Sequence, residues 1–407
     1  MQGHQKQLHK ATNRKSYAQV TLLIIGIIFI AANLRAPITS VGPLISNIKD
    51  SLALSNTAAG IITTLPLLAF AFMSPFAAKF ARRYGIEAVL LIAMSILAIG
   101  VVLRSSAGVT SLFVGTLLLG LAISVGNVLM PSLIKREFPE KIGLMTGIYS
   151  VSMNLCGAIA SGISIPLAYG LGLGWKGALG CWGMLALIAL LIWLPQLRKR
   201  KNLAAASVSA TSDSASQVNI WRSPIAWQVT IYMGLQSLLF YVSIAWFPDI
   251  LIQRGMSSSA AGWMLSLMQF AVLPATFIVP VLAGRMRNQI LLIIPMTALY
   301  LAGLFGILYG GDGWMLPVSF ILLGVASGIG FSLSMMFFSL RTRNVQEAAE
   351  LSGMAQSIGY LVAALGPTLF GMLHDGTGGW TIPLVMLFIA IIFLFLFGMG
   401  AARNKYV

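Results

Sequence analysis

Long apolar runs, separated by short polar or Gly- and Pro-bearing breaks, make up almost the whole chain. They fall near 18–46, 57–80, 87–104, 109–134, 143–169 and 176–195. A second set falls near 225–251, 259–284, 289–309, 314–339, 348–372 and 379–401. A bilayer core about 30 Å thick takes a helix of about 20 residues to cross. The pattern therefore predicts an all-α membrane protein of twelve spanning helices.

One break differs from the others. From Leu197 to Ser223 the chain opens with Arg198-Lys199-Arg200-Lys201 and continues through Ala, Ser and Thr. Such a stretch builds no core and reads as a flexible linker. The segments on its two sides echo each other in order. Ala18-Gln19-Val20-Thr21 is matched by Trp227-Gln228-Val229-Thr230, and Thr57-Ala58-Ala59-Gly60 by Ser259-Ala260-Ala261-Gly262. Leu118-Leu119-Gly120 with Gly126 is matched by Leu322-Leu323-Gly324 with Gly330, and Thr146-Gly147 by Ser352-Gly353. The expected organisation is a tail (1–17), a six-helix bundle (18–196), a linker (197–223), a second six-helix bundle (224–401) and a short tail (402–407). Two pseudo-symmetric six-helix bundles in parallel are the plan of the major facilitator fold. Small faces such as Gly143-x-x-x-Gly147, Ala122-x-x-x-Gly126 and Gly324-x-x-x-Gly328 suit close helix contact.

Composition supports the bilayer assignment. Of 407 residues, 58% are hydrophobic and 9% charged, whereas a soluble surface calls for about a quarter charged. The net charge of +16 invites a nucleic-acid reading until its distribution is mapped. Of the 26 Lys and Arg, only Lys49, Arg104, Lys176 and Arg254 fall on odd-numbered connections, and Arg35 lies inside the first apolar run. The others sit on the tails and even-numbered connections. That asymmetry orients a multispanning protein with its basic loops, and here both termini, in the cytoplasm. The expected location is a bacterial inner membrane, with the lipid bilayer as partner and no nucleic acid. Residues 1–32 imitate a signal peptide, but they belong to the repeat and are expected to stay. Cys156 and Cys181 lie in apolar runs and read as buried thiols rather than a disulfide framework.

The chemistry-bearing residues are few. There is no metal-ligand spacing, no phosphate-binding Gly loop and no Walker motif. His4 and His9 are in the tail and His374 is near a helix end, so neither an enzyme's acid–base set nor an ATP-driven pump is indicated, and no cofactor is expected. Arg35, in Asn33-Leu34-Arg35-Ala36-Pro37, stands alone. A charge at that depth costs at least about 2.5 kcal/mol and normally faces a cavity or a partner. One reading makes it an anion or dipole anchor in a transport cavity, with its guanidinium fork as the ligand. The other has Pro37 end the helix and Arg35 snorkel to the interface. Asn127, Asn154, Gln236, Gln269 and Gln356 are costly in hydrocarbon unless satisfied; each could line a cavity or bond a neighbouring helix. Tyr232, Tyr241 and Trp246 accompany Gln236, and Tyr241 and Trp246 also suit an interfacial aromatic belt. No Asp or Glu lies mid-span, since Asp50, Asp249, Asp312 and Asp375 sit at one set of helix ends and Glu137, Glu140, Glu347 and Glu350 at the other. Uniport and proton coupling both stay open.

Several stretches together resemble the cyanate porter and 2-nitroimidazole transporter family of the major facilitator superfamily. They are Asn33-Leu34-Arg35, the run from Thr64 to Phe70, the run from Gly126 to Arg136, Ser223 to Thr230, Leu351 to Ser357 and His374 to Trp380. The resemblance spans the first helix to the last and implies a carrier of a compact polar or anionic solute, working as a monomer. It puts Arg35 and Asn127 on the pathway, and the polar and aromatic residues within the spans add Gln236, Gln269, Gln356 and Tyr241 as further candidate substrate contacts. An exporter of heteroaromatic compounds is the alternative within transport, and a polytopic enzyme or receptor is the alternative outside it. The sequence departs from the superfamily at the second connection. There Arg82-Arg83-Tyr84-Gly85 carries Arg82 where the superfamily has Asp.

Overall fold

The structure, a computed structural model, describes residues 17–54, 56–106, 108–206, 219–309 and 313–407. Twelve of its helices are long and apolar enough to cross a membrane. They are α1 (Tyr17–Thr39), α2 (Asn56–Tyr84), α3 (Ile86–Ser106), α4 (Gly108–Glu137), α5 (Ile142–Ile165) and α6 (Trp182–Ala206). The second set is α7 (Pro224–Gln253), α8 (Ser258–Ala283), α9 (Ile290–Tyr309), α10 (Met315–Leu340), α11 (Val345–Thr377) and α12 (Thr381–Ala401). No strand occurs among the described residues. Residues 1–16, with Lys6, Lys10, Arg14, Lys15, His4 and His9, lie outside the described residues, as do 207–218 of the linker and Asp312.

Two boundaries differ from the apolar pattern. The first run extends to about 46, but α1 ends at Thr39, and a 3-10 turn (Gly42–Leu44) and a short helix (Ile45–Leu52) follow. Pro43 has no N–H to continue the ladder, and Gly42 favours a break. The hydropathy of Leu44 and Ile45 hides this corner. At the sixth run, a short helix (Gly174–Gly180) precedes α6, which continues through the basic cluster to Ala206.

The two halves share one packing plan. In the first, α1 packs on α5 and α6, α2 on α4, and α3 on α4 and α6; in the second, α7 packs on α11 and α12, α8 on α10, and α9 on α10 and α12. The echo reaches single atoms. A Cβ added at Gly120 would meet Ala69 and Pro66 of α2, and one added at Gly324 would meet Ala271 and Met268 of α8. These are corresponding residues in the register of the repeats, and in both cases the missing side chain lets the two backbones touch. Across the halves, α2 faces α11 and α5 faces α8. Large apolar side chains such as Ile92, Ile99, Leu191, Leu291, Phe305 and Leu361 are exposed on the outside of the bundles, as a lipid-facing surface requires.

In the second half, α7, α8 and α11 start at side-chain caps. The Ser223 Oγ accepts from the Ala226 N–H ahead of α7. At α11 the N-cap Asn344 Oδ1 accepts from the Glu347 N–H at 2.8 Å, and Glu347 Oε2 accepts from the N–H of Arg343, just ahead of the cap, at 2.6 Å.

Candidate functional site

A cavity of about 860 Å³ lies between the halves, walled by α1, α2, α3, α4 and α5 on one side and α7, α8, α10 and α11 on the other. Its size suits a small organic ligand. Arg35 projects from α1 into this space and also borders an adjoining pocket of about 20 Å³, room for one water. Its stem lies on Gly157 of α5, where a Cβ would sit 2.5 Å from the Arg35 Cγ. One turn on, the Thr39 hydroxyl donates to the Gly157 carbonyl at 2.8 Å and fixes α1 against α5. The Arg35 Cζ stands 5.2 Å from the centroid of the Phe240 ring of α7, a cation–π contact across the halves. Among the described residues no carboxylate forms an ion pair with it. A cation half-buried in protein therefore faces the cavity without a counter-charge. Interior position and cavity, not a snorkelling path, account for its tolerance in the span.

The other sequence candidates are distributed unevenly. Asn127, Gln269 and Tyr241 line the large cavity, and Asn127 Oδ1 accepts from the Tyr149 hydroxyl at 3.2 Å. Gln236 and Asn154 border the small pocket together with Arg35, Tyr241 and Tyr360. Gln356 is 0% exposed and off the cavity; its Nε2 donates to Ser352 Oγ at 2.9 Å, while its Oε1 has no partner. Tyr232 and Trp246 lie elsewhere. The Tyr232 hydroxyl points to Met296, and Trp246 Nε1 donates to the Pro367 carbonyl at 2.8 Å within a cluster with Phe370 and Trp380. Asn33, next to Arg35 in its motif, ties α1 to α6 through the Leu185 carbonyl at 3.2 Å and has a structural role. Several wall residues escaped the sequence reading: Thr39, Thr63, Thr64, Phe240, Phe331, Tyr360 and Arg104. Uncharged threonines and rings in an apolar run carry no face information by themselves. Arg104 looked like a connection charge.

The two ends of the interface differ. Toward the end where α1 stops, the cavity wall continues through Val41, Gly42, Pro43, Thr63 and Trp263. Toward the basic end it is floored by the Phe70–Tyr360 ring pair, centroids 4.9 Å apart. Below that floor the halves are bonded together. Ser357 Oγ donates to the Ala71 carbonyl at 2.6 Å, and Ser339 Oγ to the Pro131 carbonyl at 3.2 Å. The Lys135 ammonium donates to the Ser339 carbonyl and the Thr342 hydroxyl, both at 2.8 Å, where α10 ends; a cation there also meets the negative end of the helix dipole. Arg82, which departs from the superfamily loop, pairs with Glu350 of α11. The cavity is thus sealed at the basic end.

The sequence model of the Major Facilitator Superfamily matches residues 22–367. The chain is 51% identical to an uncharacterised transporter, YycB, of Bacillus subtilis (strain 168), over 95% of this chain and 94% of that one. It is 40% identical to a 2-nitroimidazole transporter of Escherichia coli (strain K12), over 95% and 96%. It is 24% identical to the cyanate transport protein CynX of the same organism, over 88% and 91%. Among solved structures it superposes on the proton:xylose symporter XylE with a TM-score of 0.74, 13% identity, and 96% and 98% of the two chains covered.

Proposed function

The chain belongs to the Major Facilitator Superfamily, and we propose that it moves a small polar or anionic solute, such as cyanate or a 2-nitroimidazole-like compound, by alternating access. The superfamily consists of transporters and not enzymes. The observation that carries the substrate reading is the unpaired Arg35 guanidinium in a cavity shared by both halves. A lone cation in a low-dielectric chamber attracts an anion or an electron-rich dipole. Asn127, Gln269, Tyr241 and Gln236 would add hydrogen bonds around it. Gln356, sealed now with a free Oε1, would join the pathway once the basic end opens. The positive-inside asymmetry supports a bacterial inner membrane with both termini cytoplasmic, which makes the sealed end the cytoplasmic one. The two related carriers named for 2-nitroimidazole and cyanate support the size and polarity of the solute.

The wall also favours a second reading. Phe240, Tyr241, Phe270, Phe331 and Tyr360 surround the cavity with rings, which suits export of flat heteroaromatic compounds. Counterflow in oriented vesicles separates the two directions. For the site itself, Arg35→Ala should abolish uptake of labelled cyanate and 2-nitroimidazole in proteoliposomes while insertion and thermal stability persist. Retained uptake would remove Arg35 from the site.

A further inference from the structure

The cavity wall holds a second arginine that the substrate reading does not use. Arg104, in the last turn of α3, is 1% exposed and contributes to the same wall as Arg35. Gly115 explains how a residue at a helix end comes to be so deep. A Cβ there would lie 2.4 Å from the Arg104 backbone nitrogen, so α4 presses directly on α3 and the Arg104 side chain is turned inward. Its Nη1 donates to the Pro37 carbonyl at 2.6 Å, in the last turn of α1, where free carbonyls and the helix dipole favour a cation.

That one bond leaves the guanidinium incomplete. Nε and Nη2 are buried and have no hydrogen-bond partner, and among the described residues no carboxylate forms an ion pair with the group. Buried charges are ordinarily paired and their donors ordinarily satisfied. Nε–H and Nη2–H lie along one edge of the guanidinium and point the same way, which is the fork that grips the two oxygens of a carboxylate or similar planar oxyanion. Thr116, beside it on α4, also lines the cavity. Pro37 is two residues beyond Arg35 on α1, about 3 Å along the axis. Along that axis the Arg104 head therefore lies within about one turn of Arg35, on the side away from the sealed end, and the turn of about 100° per residue puts the Pro37 carbonyl on a different face of α1 from the Arg35 side chain.

We propose that Arg104 is a second anion station on this cavity, which takes a small planar oxyanion of the carboxylate type through its Nε–Nη2 edge, nearer the unsealed end than Arg35. The inference rests on the cavity being a solute site but not on Arg35 being its centre. A ligand that binds only the folded state raises the midpoint of thermal unfolding. The test is therefore thermal unfolding of the purified, detergent-solubilised full chain, titrated with sodium benzoate against sodium chloride at constant ionic strength, with neutral benzamide as control. Arg104→Lys keeps a cation and a donor for the Pro37 carbonyl but removes the fork. In an Arg35→Gln background, benzoate should still stabilise the chain, and adding Arg104→Lys should weaken that response by about tenfold or more. Benzamide should shift nothing. If Arg104→Lys lowers the ligand-free midpoint but leaves the benzoate titration unchanged, the residue only caps α1 and the proposal is overturned. Equilibrium dialysis with labelled benzoate needs no Arg104 variant: Arg35→Gln should retain about one bound anion per chain, and loss of all binding would equally overturn the station. Unchanged binding in Arg35→Gln would instead remove Arg35 from its proposed role and leave Arg104 standing.

Discussion

The two halves supply corresponding positions to the cavity but opposite chemistry. In the register of the sequence repeats, Arg35 of α1 corresponds to Ile244 of α7, Asn127 of α4 to Phe331 of α10, and Asn154 of α5 to Tyr360 of α11. All six border the large cavity or its side pocket. Thr64 and Ser266, and Leu67 and Gln269, are further matched pairs on the large cavity. The backbone plan has been kept while the first half gathered the cations and the second the rings. Packing tolerates little divergence, because glycine contacts such as those of Gly120 and Gly324 leave no room for a side chain. A cavity wall touches no neighbour on one side and is free to diverge. Conserved geometry with divergent lining is what a shared hinge around an asymmetric ligand requires.

The largest effect expected from breaking this comparison is on the charge. Arg35→Ile, which gives both positions the same side chain, should reduce uptake of an anionic solute more than about 100-fold, roughly 2.7 kcal/mol of transition-state stabilisation. Placing Ile244→Arg in that background should restore part of the uptake, since both positions face one chamber. Labelled uptake in proteoliposomes reads both, and a double variant as inactive as the single one would break the equivalence.

Next in size are the glycines. Gly324→Ala would bring a Cβ to 2.2 Å from the Met268 carbonyl oxygen, and Gly120→Ala to 2.7 Å from the Ala69 Cβ. Overpacking costs about 1–3 kcal/mol, so both should lower the thermal midpoint in detergent, with Gly324→Ala the more severe because its approach is the closer of the two. The reverse order would mean that the second half is the more pliable.

A smaller effect is expected at the contact between the halves. Phe240→Leu removes the ring over Arg35 but keeps an apolar wall, and should raise the half-saturation constant about fivefold, near 1 kcal/mol. Phe331→Leu, on the same wall, should change it less. Equal effects would show that aromatic volume, not the cation–π contact, matters.

The helices and their pairing are legible in the sequence because hydropathy and repeats are collective signals that survive local exceptions. Arg35 is legible because a lone charge in an apolar run has few physical resolutions. What is not legible is which way a side chain faces. Gln269 and Gln356 read alike in sequence, yet one lines the cavity and the other is sealed beneath it. Arg104 reads as a connection charge because its burial depends on Gly115 of the next helix, a contact that no pattern around residue 104 contains. The end of α1 at Thr39 is hidden likewise, since apolar residues continue past the corner.

The central claim is that one chamber around Arg35 opens to the two sides in turn, the basic end being held shut by Lys135 on the α10 terminus and Arg82 on Glu350. The direct measurement uses a chain lacking Cys156 and Cys181, with a single cysteine at Thr63 on the unsealed wall or at Ser132, buried below the floor with an unpartnered hydroxyl. A membrane-impermeant thiol reagent is applied separately to each face. The account predicts that Thr63→Cys reacts from the face opposite the basic loops. It also predicts that adding Lys135→Met slows that reaction while Ser132→Cys becomes reactive from the basic face. If Lys135→Met leaves both rates unchanged, or raises both together, the halves do not exchange access and the account is contradicted.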